Sequence, residues 1–233
     1  MAEWMKVSIV IPTLDEEEGI GVTLDSIKRE EFAKRGWDLE IIIVDGDSRD
    51  KTREIAEQKG ARVIIEPRKG YGRAYKTGLK EVDGDIIITG DADGTYPFHI
   101  AHEYVDMLLE QNLDFITTNR FAGLDKKAMT FKHFFGNFVL SSALRLLYRI
   151  KIKDSQSGMW IFRKDALKKL KPLEEFNDGM PFSEELKIEM FSNKKIKAKE
   201  VPSFLFERKG EAKIESFADG WKNLKFLVKK RFG

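Results

Sequence analysis

Short apolar runs alternate with segments of helical pattern through the first half of this chain, and that alternation leaves few folds open. Residues 7–11, 39–44, 61–65, 85–89 and 114–118 read as strands rich in Ile and Val. Between them, residues 17–34, a segment capped by Ser48 or Asp50 and running to Lys59, residues 72–81 and residues 97–111 carry helical signals. Strands separated by helices predict a mostly parallel sheet with crossover helices. Near-continuous apolar strands predict burial on both faces. The second half is less regular. Helices are expected over 130–149, 165–170, 183–193 (with Ser183 as N-cap) and 216–231, and strands over 158–162, 196–202 and 203–208.

The 233 residues suit one α/β domain, and no repeat, low-complexity linker or boundary divides it. The chain has no cysteine, which excludes disulfides, thiolate nucleophiles and cysteine metal sites. No apolar stretch reaches the roughly 18 residues that span a bilayer. The longest candidate, 134–148, is interrupted by Gly136, Asn137, Ser141, Ser142 and Arg145. The start reads as a strand without the longer apolar region of a signal peptide. A cytoplasmic protein is therefore expected. Charge is unevenly placed: residues 1–119 hold 15 Lys/Arg against 25 Asp/Glu, and residues 120–233 hold 26 against 14. Either these are solvated helix faces, or an acidic half holds a cation and a basic half meets an anion.

Asp91-Ala92-Asp93 directly follows the fourth strand. In open α/β sheets, ligands bind beyond the carboxyl ends of the strands. Side chains at i and i+2 of an extended segment point the same way, so both carboxylates can approach one cation. Mg²⁺ and Mn²⁺ take one or two carboxylates and complete their shell with water and phosphate oxygens. Asp45-Gly46-Asp47-Ser48-Arg49-Asp50 is a second acidic strand-end loop. Asp50 suits a helix cap, while Asp45 can accept hydrogen bonds from a base or ribose. His99, His102 and His133 have no metal-ligand spacing. Gly70-Tyr71-Gly72 is too short for a dinucleotide fingerprint.

Taken in order, these motifs resemble glycosyltransferase family 2. Ile11-Pro12-Thr13-Leu14-Asp15-Glu16 is similar to the family's opening pattern, and residues 44–52 to its nucleotide loop. Lys69-Gly70-Tyr71-Gly72-Arg73-Ala74 is similar to its Gly-rich segment. Asp91-Ala92-Asp93 matches the DxD motif, and Asp154-Ser155-Gln156-Ser157-Gly158 a later Asp-x-x-Ser-Gly element. Residues 201–214 look like the closing segment of polyprenyl-phosphate sugar synthases, and dolichyl-phosphate mannose or glucose synthases are the best subgroup match. The resemblance spans nearly the whole chain.

It implies a GT-A (Rossmann-like) α/β fold: a mostly parallel central sheet flanked by helices, with a smaller irregular C-terminal acceptor part. Residues 1–119 would bind a nucleotide-sugar donor, and residues 120–233 the acceptor. Pro12, Leu14, Glu16, Asp45, Lys69, Asp91 and Ala92 would line the nucleotide-sugar pocket. Asp91, Asp93 and Thr95 would hold Mg²⁺ or Mn²⁺. Asp93, Arg120, Arg208 and Lys213 would carry the chemistry, the three basic residues meeting an acceptor phosphate. Lys132 sits near where relatives place another arginine. The chain departs from the pattern at Asp15 (Asn in relatives), at Gly46, and at Thr95, a poorer metal ligand than Gln or Asp. Relatives' C-terminal membrane helices are not matched.

The implied reaction is inverting hexose transfer from a GDP- or UDP-sugar to a polyprenyl phosphate, on the cytoplasmic face of the membrane. No nucleic-acid partner is expected. A lipid monophosphate is anionic near neutral pH and needs no base. A sugar-hydroxyl acceptor in polysaccharide or glycolipid assembly would need one. Glu184 and Glu185 stand where relatives that modify hydroxyls carry it, though acidic residues also suit a first helical turn. A sugar nucleotidyltransferase is disfavoured by the missing Gly-rich N-terminal signature, and a non-catalytic sugar-nucleotide binder by the intact DxD. In residues 216–231, Phe217, Trp221, Leu224, Leu227 and Val228 share a stripe. They face either an anionic bilayer or the domain itself.

Overall fold

The computed structural model describes residues 4–124, 131–210 and 216–233. Seven strands form one sheet: β1 (Met5–Thr13), β2 (Trp37–Asp45), β3 (Arg62–Ile65), β4 (Ile86–Thr89), β5 (Phe115–Leu124), β6 (Trp160–Arg163) and β7 (Ala198–Leu205). Their spatial order is β3-β2-β1-β4-β6-β5-β7. β1 pairs in parallel with β2 and β4, β2 with β3, and β5 with β7. β6 runs antiparallel to both neighbours. The expected mostly parallel sheet is present. An apolar run carries no direction, so the reversal at β6 is not written in its residues.

The helices are α1 (Glu17–Ser26), α2 (Arg29–Lys34), α3 (Thr52–Gln58), α4 (Tyr71–Glu81), α5 (Ala101–Glu110), α6 (Phe131–Tyr148), α7 (Phe182–Ser192) and α8 (Ser216–Phe232). The single helix expected over 17–34 is divided. Backbone at Ile27 turns extended, which seats its side chain in the core. Residues 164–169 form a 3₁₀ segment. Ser183 is not the cap of α7. Pro181 holds that place, with no amide hydrogen to leave unsatisfied, and Ser183 lies inside the helix. The two strands expected over 196–208 are one. Pro202 does not break it because β7 is the sheet's edge strand, where a missing N–H removes no ladder bond.

Alternate residues of the central strands feed two cores. Ile9, Ile11, Ile41, Ile43, Ile86 and Ile88 pack on the α1 and α5 side. Val10, Ile42, Val44 and Ile87 pack with Tyr75, Trp160, Phe182 and Leu186 on the α4 and α7 side. Burial of each such side chain contributes about 1.5–3 kcal/mol. This double burial fixes the strand ends, and with them the loops after β1, β2 and β4. A third cluster, including Leu144, Ile152, Ile188 and Leu227, joins α6, α7 and α8. Among the described residues, no helix is long and apolar enough to cross a membrane.

Candidate active site

Three loops meet at the carboxyl ends of β1, β2 and β4. The first two are stitched together. Asp45 is fully buried at the end of β2. Its carboxylate accepts from Ser48 N at 2.9 Å, Ser48 Oγ at 2.5 Å and Thr13 Oγ1 at 3.1 Å. These bonds brace the loop. Asp15 N donates to Ser48 Oγ at 2.8 Å, and Glu16 N to Thr52 Oγ1 at 2.7 Å. Asp50 receives Thr52 N at 2.9 Å and Glu17 N at 3.0 Å, one residue ahead of Lys51, which holds the N-cap position of α3. Pro12 is half-buried on β1, Leu14 is exposed beside the stitched loops, and Lys69 is exposed just ahead of α4.

The loop after β4 is held by backbone contact. Ala92 is buried, and its carbonyl accepts from Thr23 Oγ1 at 2.8 Å. α1 approaches so closely that a Cβ at Gly19 would lie 2.7 Å from both Ala92 O and Asp93 Cα. Asp91 lies over Gly158, with the Tyr71 hydroxyl 3.4 Å from its Oδ1. Burial, then the neighbouring Asp93, pushes Asp91 up to about 7, while Arg120 and Arg208 oppose that rise. Asp93 is buried. Its Oδ1 accepts from Thr95 N at 3.1 Å and Thr95 Oγ1 at 2.6 Å, and its Oδ2 accepts from Arg208 at 2.6 Å. Thr95, expected among the metal ligands, therefore directs its hydroxyl proton at Asp93.

Two crowded carboxylates suit a divalent cation, since a cation relieves both their repulsion and their burial cost. Among the described residues no third His, Asp or Glu completes a cage.

Arg120 and Arg208 both come to this site. Arg120, on β5, donates through Nε and a terminal nitrogen to the two oxygens of Asp154, at 2.7 and 2.9 Å. Asp154 is fully buried; burial pushes its carboxyl up, but the Arg120 guanidinium outweighs that and holds it below the usual carboxylate range. Arg208 lies across the donor half, bound to Asp93 and, at 2.7 Å, to Glu16 Oε1. Lys213 and the side chain of Lys132 lie outside the described residues. Asp154, Tyr71 and Lys187 were not singled out from the sequence. Tyr71 and Asp154 do lie inside motifs that were. Lys187 is fully buried and donates to the carbonyls of Ser155 and Ser157 at 2.6 and 2.5 Å, supporting the 154–158 loop from α7.

The profile of the family described as Glycosyl transferase family 2 matches residues 8–171. The chain belongs to glycosyltransferase family 2. It is 34% identical over 226 residues to a low-salt glycan biosynthesis hexosyltransferase of Haloferax volcanii, covering 95% of this chain and 53% of that one. It thus spans about half the length of that relative. It is 31% identical over 225 residues to a dolichyl-phosphate hexose transferase of the same organism, covering 96% of this chain and 92% of that one. Among solved structures, glucosyl-3-phosphoglycerate synthase from Mycobacterium tuberculosis, in complex with Mn²⁺, UDP and glucosyl-3-phosphoglycerate, superimposes with a TM-score of 0.72. It is 20% identical and covers 97% of this chain and 80% of that one, a likeness of fold. The fold is GT-A.

Proposed function

We propose that this family 2 transferase moves a hexose from a GDP- or UDP-sugar, held with Mg²⁺ or Mn²⁺, to a polyprenyl phosphate. The observation that carries this reading is the Asp91–Asp93 pair at the end of β4, flanked by Arg120 and Arg208. Carboxylates for a cation and arginines for phosphate oxygens are what two phosphorylated substrates require in one site. The name of the dolichyl-phosphate hexose transferase relative agrees with it.

In this reading Asp91 and Asp93 hold the metal, with Thr95 fixing Asp93. Bound there, the cation would stabilise the charge that develops on the departing nucleoside diphosphate. Pro12, Leu14, Glu16 and Lys69 border the nucleotide, and Asp45 keeps their loop in shape. An oxygen of the acceptor phosphate attacks the anomeric carbon, and the bond to the diphosphate breaks with its electron pair leaving on the diphosphate. The configuration inverts. The acceptor is already anionic, so no base is needed, while Arg120, Arg208 and Lys213 offset the repulsion between two anions.

A sugar-hydroxyl acceptor fits less well. Glu184 and Glu185, the carboxylates that reaction would use as base, are both buried and engaged: Glu184 Oε1 accepts from Gln156 at 2.5 Å, and Glu185 Oε1 from Lys171 at 2.7 Å. α8 buries Leu227 against the rest of the chain and leaves Trp221, Val228 and Phe232 exposed near Lys222, Lys225 and Lys229. We assign that outer face to contact with an anionic membrane surface, peripheral rather than spanning. The side chain of Phe217 lies outside the described residues.

The test is a panel of GDP- and UDP-sugars with Mn²⁺, offered polyprenyl phosphate in detergent or soluble sugar acceptors. Label should pass to the lipid phosphate. Transfer to sugar hydroxyls alone, lost in Glu184→Gln, would overturn the acceptor assignment.

A further inference from the structure

Arg208 binds the donor half of the molecule, although its segment belongs to the basic acceptor half. One terminal nitrogen donates to Asp93 Oδ2 at 2.6 Å and the other to Glu16 Oε1 at 2.7 Å. Neither carboxylate is open to bulk solvent: Asp93 and Glu16 side chains are 6% and 13% exposed. The backbone around Arg208 is pinned to the same loop. Lys209 N donates to Asp93 O at 2.9 Å, and Phe206 N to Thr95 O at 3.0 Å. The second oxygen of Asp93 is occupied by Thr95. The charge of Asp93 is thus compensated by a cation from its own chain.

A divalent ion that binds Asp93 meets a guanidinium on Oδ2. Two cations on one carboxylate oxygen repel, and a charge-assisted hydrogen bond must break to admit the ion. The backbone bonds at Phe206 and Lys209 do not involve the carboxylate, so they need not break. A displaced Arg208 stays tethered beside the spot where diphosphate oxygens arrive, and its planar fork suits them.

We propose that Arg208 is an internal stand-in for the metal, which the metal–diphosphate moves from Asp93 onto the donor's phosphates. The proposal rests on the metal-dependent donor reading. It gives the coupling a sign. Arg208 competes with a metal ion that arrives alone, and cooperates with one that arrives with a nucleoside diphosphate. Free metal is thereby disfavoured, and the loaded donor is favoured.

The experiment is binding, not turnover. Mn²⁺ alone is titrated calorimetrically into wild type, Arg208→Gln and Lys209→Gln, followed by GDP and UDP at saturating Mn²⁺. Arg208→Gln should bind Mn²⁺ alone about tenfold more tightly, the worth of one charge-assisted hydrogen bond. The same variant should bind nucleoside diphosphate about tenfold more weakly. Lys209→Gln removes an equal charge one residue away and should change either by no more than about twofold. In wild type, Mg²⁺ with GDP or UDP should shift the Arg208 Nε–H resonance in side-chain ¹⁵N spectra. Equal Mn²⁺ affinity in wild type and Arg208→Gln overturns the proposal, as does a Lys209→Gln effect of the same size. Absence of hexose transfer alongside these binding shifts would overturn the transferase reading and leave the competition standing. Transfer without the shifts would do the reverse.

Discussion

Asp154 takes Arg120 with both of its carboxylate oxygens, at 2.7 and 2.9 Å, and accepts the Arg120 backbone N–H at 3.0 Å as well. Arg120 is thus a fixed cation. It contributes its field to Asp91 while Nε and one terminal nitrogen bind Asp154. The Arg120 side chain is 11% exposed and Asp154 is fully buried. Removing one partner of a buried pair leaves the other charge uncompensated, which costs about 3–5 kcal/mol. Asp154→Ala should therefore lose about 3 kcal/mol or more of stability in urea denaturation. A loss below about 1 kcal/mol, the range of surface pairs, would mean that Arg120 finds solvent and is not held as described.

Gly19 is the point where α1 touches the backbone of the DxD loop. An added methyl would meet Ala92 O and Asp93 Cα at 2.7 Å, and neither is a flexible side-chain end. Gly19→Ala should cost about 1–3 kcal/mol, as overpacking does. It should also weaken Mn²⁺-dependent nucleotide binding, because the atoms that must move carry Asp93. Unchanged stability together with unchanged nucleotide affinity would show that α1 slides away freely.

Much of this arrangement was legible in the residues. The Ile and Val runs of β1, β2 and β4 announce strands buried on both faces, and Asp91 and Asp93 follow one of them directly. Asp50 accepts the first amide of α3, while Lys51 holds its N-cap position. The neighbours of Asp45 are not readable, because strand-end position gives a carboxylate its location but not its surroundings. Thr13 lies 32 residues away from it, and the hydrogen bond between them appears only when β1 and β2 pair. Arg208 is separated from Asp93 by 115 residues. Its positive charge was readable, but which of two anionic targets it meets depends on how the segment after β7 crosses the sheet. Lys187 was hidden for another reason: a lysine in an amphipathic pattern reads as surface, and this one is buried because three oxygen acceptors surround it.

Metal removal should silence the enzyme in the proposed reaction. With Asp91 and Asp93 as the carboxylates available at the end of β4, EDTA should abolish hexose transfer, and Mn²⁺ or Mg²⁺ should restore it. Asp93→Ala should lower kcat by about 100-fold or more, the usual effect of losing an electrostatic stabiliser of the leaving group. The variant also releases Arg208, so nucleotide binding should be measured beside turnover. Full activity in Asp93→Ala or in EDTA would rule out the metal role.

Glu184 makes stability depend on pH in a defined direction. It is fully buried, and its Oε2 has no hydrogen-bond partner among the described residues. Burial pushes it up to about 7, against the opposing pull of Gln156 and Lys187. The folded state therefore holds this proton more tightly than the unfolded chain. The associated stability is fully present below the ordinary glutamate range and is lost as pH rises through about 7. Lys187 is shifted the other way, down to about 7 by burial, so its contribution rises with pH only above that value. Between pH 5 and 7 the Glu184 slope should dominate this pair. Glu184→Gln keeps the acceptor for Gln156 without the charge. It should flatten that slope and stabilise the protein by about 1–3 kcal/mol at pH 7.5 relative to its effect at pH 5. Urea denaturation of both proteins at the two pH values measures this difference, and parallel pH profiles would mean that Glu184 is ionised in the native state.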